Sequence, residues 1–294
     1  MLNYAYSILY VLIASYSFIF MQNTEAVLPP SLSLVSSVFL TTVYFHLINI
    51  HKIKHVYKQL LHDKLNFLLV NLTVMVMWGC SFYSVYFVGP FSYLFIFFST
   101  AAVFGFFFKL NESELLRWPR LISLVTIILI IVGYILYVEN HSRENYIFGD
   151  ILALLSGSMS YAYSKSSFVF SKKTHLTATQ ILSVRFFALL IFGVLLCLFA
   201  PQTAIRFDLD IIWRVILLAA LAFILPLYFF QKAILKIGPE GQTIFNALTP
   251  AVTYLLVFIL QKEFHFFQFL TSIFLAFMLV FPSIFTFIHK YRAK

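Results

Sequence analysis

Long apolar runs alternate with short polar or charged stretches along the whole chain. Charged residues and Pro/Gly pairs divide it into ten runs, and most have the roughly 17–25 residues that a helix needs to cross the hydrocarbon core of a bilayer. The pattern therefore predicts an all-α polytopic membrane protein. The predicted spans cover residues 4–21, 33–50, 67–88, 91–108, 120–138, 149–170, 177–199, 210–235, 239–260 and 265–288.

Two pairs of neighbouring runs are separated by little more than a Gly-Pro pair. Gly89-Pro90 divides the third run from the fourth, and Gly238-Pro239 divides the eighth from the ninth. Glycine adopts backbone angles that other residues avoid, and proline cannot continue a helix. Both pairs are therefore predicted to form tight turns between antiparallel spans.

The composition excludes a water-soluble protein. Hydrophobic residues make up 62% of the chain and charged residues only 11%, against about 45–50% and about 25% in soluble domains. The formal net charge of +9 does not indicate a nucleic-acid partner, because the basic residues are spread over short connections between spans. Cys80 and Cys197 lie in apolar runs and are interpreted as small hydrophobic side chains.

The basic residues also indicate an orientation, because cytoplasmic loops are enriched in lysine and arginine. If the N-terminus is cytoplasmic, fifteen of the twenty basic residues fall on the cytoplasmic side. Arg143, Arg206, Arg214 and Lys262 fall on the other side, and Arg185 lies within a span. We therefore expect an even number of spans, with the N- and C-termini both cytoplasmic, in a bacterial inner membrane.

The two halves of the chain repeat each other. Gly89-Pro90 and Gly238-Pro239 are 149 residues apart, and Glu112 and Glu263, each after a Leu and one or two polar residues, are 151 apart. The predicted halves are residues 1–140 and 141–294, with five helices each. Because five is odd, the two halves are expected to be inverted repeats, an arrangement in which carriers bind substrate at the interface of the halves.

With these motifs the chain resembles the EamA-type permeases of the drug/metabolite transporter superfamily over nearly its whole length. The resemblance implies ten helices and secondary transport by alternating access. It leaves the substrate open, because the family carries amino acids, purines, vitamins, sugar derivatives and drugs. The matching segments are Leu110-Asn111-Glu112, Val132-Gly133, Gly149-Asp150, Tyr228–Ile234 with Gly238-Pro239, Thr249–Val252 and Leu260–Glu263.

Arg185 is the basic residue placed deepest in a predicted span. It lies eight residues, or about 12 Å, into the seventh span, and is interpreted either as an anion-binding group or as a side chain that reaches back to the interface. Lys165 lies about 7.5 Å from the end of the sixth span. If both faced one cavity, they would select a substrate with a carboxylate or another anionic group.

Other candidates are polar or aromatic residues at mid-span, where helix packing is the alternative interpretation of each. Pro226 and Pro250 would free backbone carbonyls and act as hinges, or be simple packing kinks. The candidate substrate-binding residues besides Arg185 and Lys165 are Trp78, Tyr83, Ser99, Tyr228, Gln231, Asn246, Thr249 and Tyr254.

The sequence favours transport over catalysis. All acidic residues are predicted in loops or at span ends, so no buried carboxylate is expected, which favours a facilitator or exchanger over a proton-coupled pump. Lys165 and Arg185 favour an amino acid or a related carboxylate-bearing metabolite as the substrate. A nucleotide, vitamin or drug-like solute is the alternative substrate. An intramembrane enzyme or a channel fits less well, because no zinc motif, no paired carboxylates and no pore motif occur. No cofactor or metal is expected, the expected partners are the substrate and the lipid bilayer, and a homodimer remains open.

Overall fold

The computed structural model describes residues 2–108, 110, 114–139, 146–199, 208–246, 248–262 and 266–292. These residues form α-helices with short connections and contain no strand, which confirms the all-α prediction. Lys109, Asn111, Glu112, Arg143, Arg206 and Glu263 lie outside the described residues. The helices are α1 Leu2–Glu25, α2 Pro30–Ile48, α3 Ile53–His62, α4 Lys64–Phe107, α5 Glu114–Glu139, α6 Tyr146–Thr174, α7 Ala178–Val184, α8 Phe187–Phe199, α9 Leu209–Leu218, α10 Leu225–Asn246, α11 Thr249–Gln261 and α12 Phe266–Arg292.

Helix α4 consists of two arms that meet at Gly89. This glycine has φ 78° and ψ 167°, which is not helical. The Ser81 Oγ and the Tyr93 hydroxyl, on opposite sides of Gly89, are only 2.6 Å apart, although twelve residues of straight helix would separate them by about 18 Å. The chain therefore reverses at Gly89-Pro90, as the sequence predicts.

The same backbone conformation recurs in α10. Gly238 has φ 79° and ψ 165°, within a few degrees of Gly89, and is likewise followed by a proline. These angles belong to a region that only glycine enters without strain. The two Gly-Pro pairs are thus equivalent in conformation as well as in sequence.

Two predicted spans are less regular than the pattern suggests. The seventh is interrupted between α7 and α8, where Arg185 and Phe186 form a turn. The eighth contains a π-helical stretch, Ala219–Ile224, which ends two residues before Pro226. A π-helical turn is a common way to accommodate a proline, and both features often occur at functional positions.

The most extensive contact between two helices is that of α4 with α6. Gly157 on α6 faces the backbone of α4, and a Cβ added there would lie 2.4 Å from the carbonyl oxygen of Phe97. Small residues allow such close approach between membrane helices. Glycine at position 157 therefore sets the distance between these two helices.

The outer surface of the bundle is apolar. Leucine, isoleucine and phenylalanine side chains are widely exposed, for example Leu129 at 65% and Leu198 at 73%. Six helical segments of the described residues have the length and composition needed to cross a membrane: Tyr4–Glu25, Pro30–Ile48, Lys64–Phe107, Glu114–Tyr137, Ala178–Phe199 and Leu209–Pro239. The architecture is compatible with an integral multi-pass membrane protein.

Candidate functional site

A narrow cavity lies inside the bundle between α1, α4, α6, the π-helical stretch and α10. Its volume is about 30 Å³, which is enough for a water molecule and far below the roughly 300–1,000 Å³ of small-molecule sites. Its wall combines aromatic rings with small hydroxyl groups. The lining residues are Tyr10, Ala14, Ser17, Phe18, Met77, Trp78, Ser81, Tyr93, Phe97, Ser160, Tyr163, Ala222, Pro226, Leu227 and Phe230.

Many of the lining positions occur in pairs with a constant spacing. Each member of a pair is 149 residues from the other, the spacing of the two Gly-Pro turns. The two members of a pair differ in residue type. The positions that line the cavity therefore repeat between the two parts of the chain, but the chemical character of their side chains does not. The pairs are Ala14 with Tyr163, Met77 with Pro226, Trp78 with Leu227, and Ser81 with Phe230.

One side of the cavity carries a cluster of hydroxyl groups. Ser81 lies 2.6 Å from the hydroxyl of Tyr93 and 2.9 Å from the hydroxyl of Ser156 on α6. The Ser156 hydroxyl also donates to the carbonyl oxygen of Met77 at 2.9 Å. These contacts tie α6 to both arms of α4 and keep polar atoms at the cavity wall satisfied.

Trp78 forms an aromatic part of the wall. Its ring stacks on Phe18 at 6.0 Å and contacts Phe223 at 4.4 Å. The indole Nε1 is buried and has no hydrogen-bond partner among the described residues. A buried indole N–H normally finds an acceptor, so Trp78 offers a free donor beside the cavity.

Arg185 lies behind the cavity wall and is completely buried, at 0% exposure. Its Nη1 donates to the hydroxyl of Tyr163, which lines the cavity, and its guanidinium carbon lies 5.0 Å from the Tyr163 ring and 4.6 Å from the Phe186 ring. Its Nε and Nη2 have no hydrogen-bond partner, and no acidic side chain forms an ion pair with it, among the residues that the structure describes. The alternative that Arg185 reaches back to the interface is therefore wrong.

The helix break places Arg185 in this position, and Asn71 on α4 stabilises the break. The side-chain amide of Asn71 donates to the carbonyl oxygen of Val184 at 3.1 Å, and its oxygen accepts from the backbone N–H of Ala188 at 3.4 Å. These two backbone groups flank the turn and lack regular helical partners. A single side chain thus satisfies both ends of the interrupted helix.

Tyr163 links the guanidinium to a buried amide. Its hydroxyl donates to Gln231 Oε1 at 2.6 Å, and Gln231 exchanges hydrogen bonds with Ser167, at 2.9 Å from its nitrogen and 3.1 Å from its oxygen. All three side chains are fully buried. Arg185 is the only charged member of this network, which therefore has no internal counter-ion.

The predicted site residues separate into two groups. Arg185, Trp78, Gln231 and Pro226 lie at or directly behind the cavity. Lys165 does not join them: it is exposed, with its Nζ 5.6 Å from the Phe108 ring centre. Lys165 and Arg185 therefore do not face one cavity, as the sequence had allowed.

The remaining predicted residues are dispersed through the bundle. Tyr83 lines a separate apolar cleft with Cys80 and Phe192, and Ser99 donates to the carbonyl oxygen of Phe95 in its own helix. Neither residue contacts the central cavity.

On α10 and α11, the predicted residues also have local partners. The ring of Tyr228 lies 5.6 Å from Lys232 Nζ, and Asn246 accepts from Gln242 at 2.8 Å. The hydroxyl of Thr249 is buried without a partner among the described residues.

Tyr254 and Pro250 complete the predicted set. Tyr254 packs its ring on Phe91 at 5.7 Å. Pro250 occupies the first turn of α11, where proline is well tolerated. It therefore begins a new helix instead of kinking a continuous one.

The expectation that no carboxylate is buried is wrong. Glu25 at the end of α1 is only 4% exposed, and Asp150 on α6 only 3%. Both carboxyl oxygens of Glu25 lack a hydrogen-bond partner among the described residues. The physical reason is that a position outside an apolar run is not the same as a position at the surface, because the packing of the helices decides which side chains are exposed.

Several residues of the site were not identified from the sequence. Tyr163, Ser167, Ser156 and Ser160 lie on one face of α6 with helical spacing, and this stripe of hydroxyl groups was the available signal. Asn71 gave no signal, because its partners lie more than a hundred residues away.

The described residues contain no cluster of three or more His, Cys, Asp or Glu side chains that could hold a metal ion. Cys80 and Cys197 are both free thiols. The chemical groups at the cavity are therefore a guanidinium, hydroxyls, an amide and aromatic rings. This set can bind an anionic or polar solute.

The fold has a counterpart among solved structures. A protein of known crystal structure superposes with a TM-score of 0.66 over 99% of this chain and 98% of its own length, with 12% sequence identity. At that identity the likeness concerns the fold alone. No protein-family model matches the chain. No curated protein matches it.

Proposed function

We propose that the protein is a secondary transporter, of the kind that the EamA-type permeases represent, which moves a carboxylate-bearing metabolite by alternating access. In this proposal residues 1–140 and 141–294 are inverted five-helix halves, both termini are cytoplasmic, and the membrane is the bacterial inner membrane. Amino acids and related carboxylates are the favoured substrates.

The observation that carries this proposal is the buried charge of Arg185, which has no acidic partner among the described residues. A buried charge without a partner is destabilising by several kcal/mol, and a buried ionisable group in a membrane protein typically belongs to a substrate or ion pathway. A carboxylate that reached the guanidinium would neutralise its charge and accept charge-assisted hydrogen bonds from it. Tyr163, which lines the cavity and bonds Arg185, lies between the cavity and the charge.

Hydrogen bonds support the inverted repeat. Ser156 on α6 lies 3.3 Å from the hydroxyl of Tyr93 on α4, and Ser7 on α1 donates to Gln242 Oε1 on α10 at 2.7 Å. Ser7 and Ser156 are 149 residues apart, and so are Tyr93 and Gln242. In one contact the serine belongs to the second half and its partner to the first, and in the other contact the serine belongs to the first half and its partner to the second. A two-fold relation between the halves produces such a pair of equivalent contacts.

The present conformation corresponds to a closed state. The cavity of about 30 Å³ excludes an amino acid, so substrate entry requires the helices around it to separate. Candidate hinges are the break at Arg185 and the π-helical stretch before Pro226. Transport by alternating access needs such an opening toward each side in turn.

The buried carboxyl group of Glu25 makes ion-coupled transport an alternative to facilitated transport. The absence of a buried carboxylate, which had argued against coupling to protons, does not hold. An ionised carboxylate without a partner is costly, and binding a proton or a cation would relieve that cost. Uptake should therefore be measured with and without a proton gradient and a sodium gradient. A facilitator would respond to neither.

Transport is tested with purified protein in proteoliposomes. A thermal-shift screen against amino acids, other carboxylates, nucleotides and vitamins first identifies a ligand, because ligands that bind the folded state raise its stability. Uptake of the labelled ligand should be saturable, competed by its unlabelled form and lost in Arg185→Ala with the protein still folded. Non-saturable flux would indicate a channel, and chemical conversion of the ligand an enzyme; either result would refute the proposal.

A further inference from the structure

A second cavity, here called the lateral groove, lies on the outer surface of the bundle between α2 and α8. Its volume is about 430 Å³, in the range of sites that hold an organic ligand. Phe39, Val43 and Leu47 of α2 form one wall at four-residue spacing, and Phe187 and Leu190 of α8 form the other. The groove extends along α2 from Phe39 to the turn after it.

The walls of the groove offer almost no polar contacts to a ligand. Its two polar side chains, Thr42 and His46, are both engaged within the protein. The Thr42 hydroxyl donates to the Val38 carbonyl oxygen at 2.8 Å. His46 bonds the Thr42 carbonyl oxygen at 2.8 Å and the Tyr57 hydroxyl at 3.0 Å. An occupant must therefore be apolar along this length.

The length of the groove matches one leaflet of a bilayer. From Phe39 to Ile48, where α2 ends, the nine residue steps correspond to about 14 Å of helix, and Ile50 in the following turn extends the groove further. Half of a hydrocarbon core is about 15 Å. The axis of the groove is that of α2, a helix long and apolar enough to cross the membrane. This is the direction and length of a phospholipid acyl chain.

The end of the groove near Ile50 and Ile53 carries a concentration of positive charge. Ile50 and Ile53 line the groove, and the residues between them, His51 and Lys52, are exposed. Lys54 and Lys58 follow on the exposed face of α3.

Helix α3 has the character of a helix that lies at a membrane surface. Leu61 and Leu65, at its end and just beyond, are 69% and 68% exposed, next to exposed lysines. Amphipathic basic helices of this type rest at the headgroup level. The acidic side chain of the connection, Asp63, is engaged by Lys173 at 3.7 Å and by the backbone of Asn66, so it does not oppose an anion.

From these observations we infer that the lateral groove is a binding site for an anionic phospholipid, with one acyl chain in the groove and the phosphate headgroup beside Lys52 and Lys54. A soluble anion would leave the apolar walls exposed. A zwitterionic lipid would fill the groove but gain little from the lysines.

The site also has a structural link to the central network. Phe187 lies two residues after Arg185 and begins α8 after the helix break. Its ring stacks on Tyr57 at 6.4 Å and 6° and contacts His46 at 6.0 Å. A lipid in the groove therefore contacts the segment that positions Arg185, and its binding should stabilise the closed conformation.

The test measures lipid binding, so it is independent of the proposed transport function. The full chain, purified in a non-ionic detergent, is titrated with phosphatidylglycerol or phosphatidylcholine of identical acyl chains, and retained lipid is counted by native mass spectrometry. Phosphatidylglycerol should bind more tightly. Lys52→Gln/Lys54→Gln should weaken its binding about 30-fold, from about 1 kcal/mol per lysine, and leave phosphatidylcholine binding unchanged.

Two further variants define the result. Arg117→Gln/Lys236→Gln removes two exposed basic residues elsewhere and should change phosphatidylglycerol binding less than two-fold. Val43→Trp, at a position 39% exposed, should fill the groove and reduce binding of both lipids without disturbing the core. Equal affinity for the two lipids, an equal loss in the two charge variants, or full binding to the Val43→Trp variant would each overturn the inference.

Discussion

The variant Arg185→Met separates a binding arginine from a structural one. Methionine keeps an apolar stem of similar length beside Phe186 and the Tyr163 ring but removes the charge. Tyr163 keeps its hydrogen bond to Gln231, at 2.6 Å, so the substitution leaves no new unsatisfied group there. The two properties to compare are the stability of the ligand-free protein and its affinity for a carboxylate ligand.

The structure gives a magnitude for each property. Loss of the hydrogen bond from Arg185 to Tyr163 costs about 1.5–3 kcal/mol, but relief of an unpaired buried charge returns several kcal/mol. The melting temperature of the ligand-free variant should therefore be unchanged or higher. Binding of a carboxylate should weaken by about 2–5 kcal/mol, the loss found when one member of a buried charged pair is truncated, which is roughly 30- to 5,000-fold in Kd.

The assay is thermal unfolding in detergent, with and without ligand, combined with equilibrium binding. Lys165→Met is the matched control, because Lys165 is a basic residue of the neighbouring helix α6 but is exposed; it should alter neither property. A large fall in the melting temperature of Arg185→Met with unchanged ligand affinity would refute the reasoning. Arg185 would then be part of the scaffold, and the binding site would have to be elsewhere.

Three further predictions concern the scaffold around the site. Asn71→Leu should lower the melting temperature, because two buried backbone groups at the helix break lose their partner at about 1–3 kcal/mol each; an unchanged melting curve would contradict that role. Gly157→Ala should destabilise the protein by about 1–3 kcal/mol, because the new Cβ would lie 2.4 Å from the Phe97 carbonyl oxygen. In the same unfolding assay the control Gly133→Ala should be neutral or stabilising, because no atom lies within 4 Å of its new Cβ. Glu25→Gln should keep or raise the melting temperature, since a neutral amide replaces a buried carboxylate that has no hydrogen-bond partner among the described residues; a clear loss of stability would indicate that the carboxylate has a structural partner.

The turns and the fold class were predictable because they depend on local chemistry. A glycine followed by proline interrupts any helix, whatever surrounds it, and Gly89 and Gly238 have the expected non-helical angles. Apolar runs of this length similarly leave few alternatives to membrane helices. A single basic residue within such a run is visible to inspection, which is why Arg185 could be selected from the sequence.

The features that were missed depend on contacts between distant segments. The break at Arg185 has no glycine or proline within seven residues of it, and it is stabilised by Asn71, more than a hundred residues earlier. Glu25 was predicted in the connection between the first two spans, and nothing local in the sequence indicates that the packing buries it. Lys165 and Arg185 lie on different helices, and only the packing shows that one is exposed and the other buried.

The 149-residue spacing shows which position in the first part of the chain corresponds to Arg185, and the two residues differ in charge. The position equivalent to Arg185 in the first half is Ser36, whose hydroxyl donates to the Leu32 carbonyl oxygen of its own helix at 2.6 Å. If the halves are inverted, Arg185 and Ser36 lie at mirrored depths on either side of the cavity. An anion in the cavity would therefore meet a buried guanidinium toward one side of the membrane and only a neutral, already bonded hydroxyl toward the other. If such halves also open to both sides with equal ease, an anionic substrate would bind more tightly on the Arg185 side, because only that half carries a charged residue at this position.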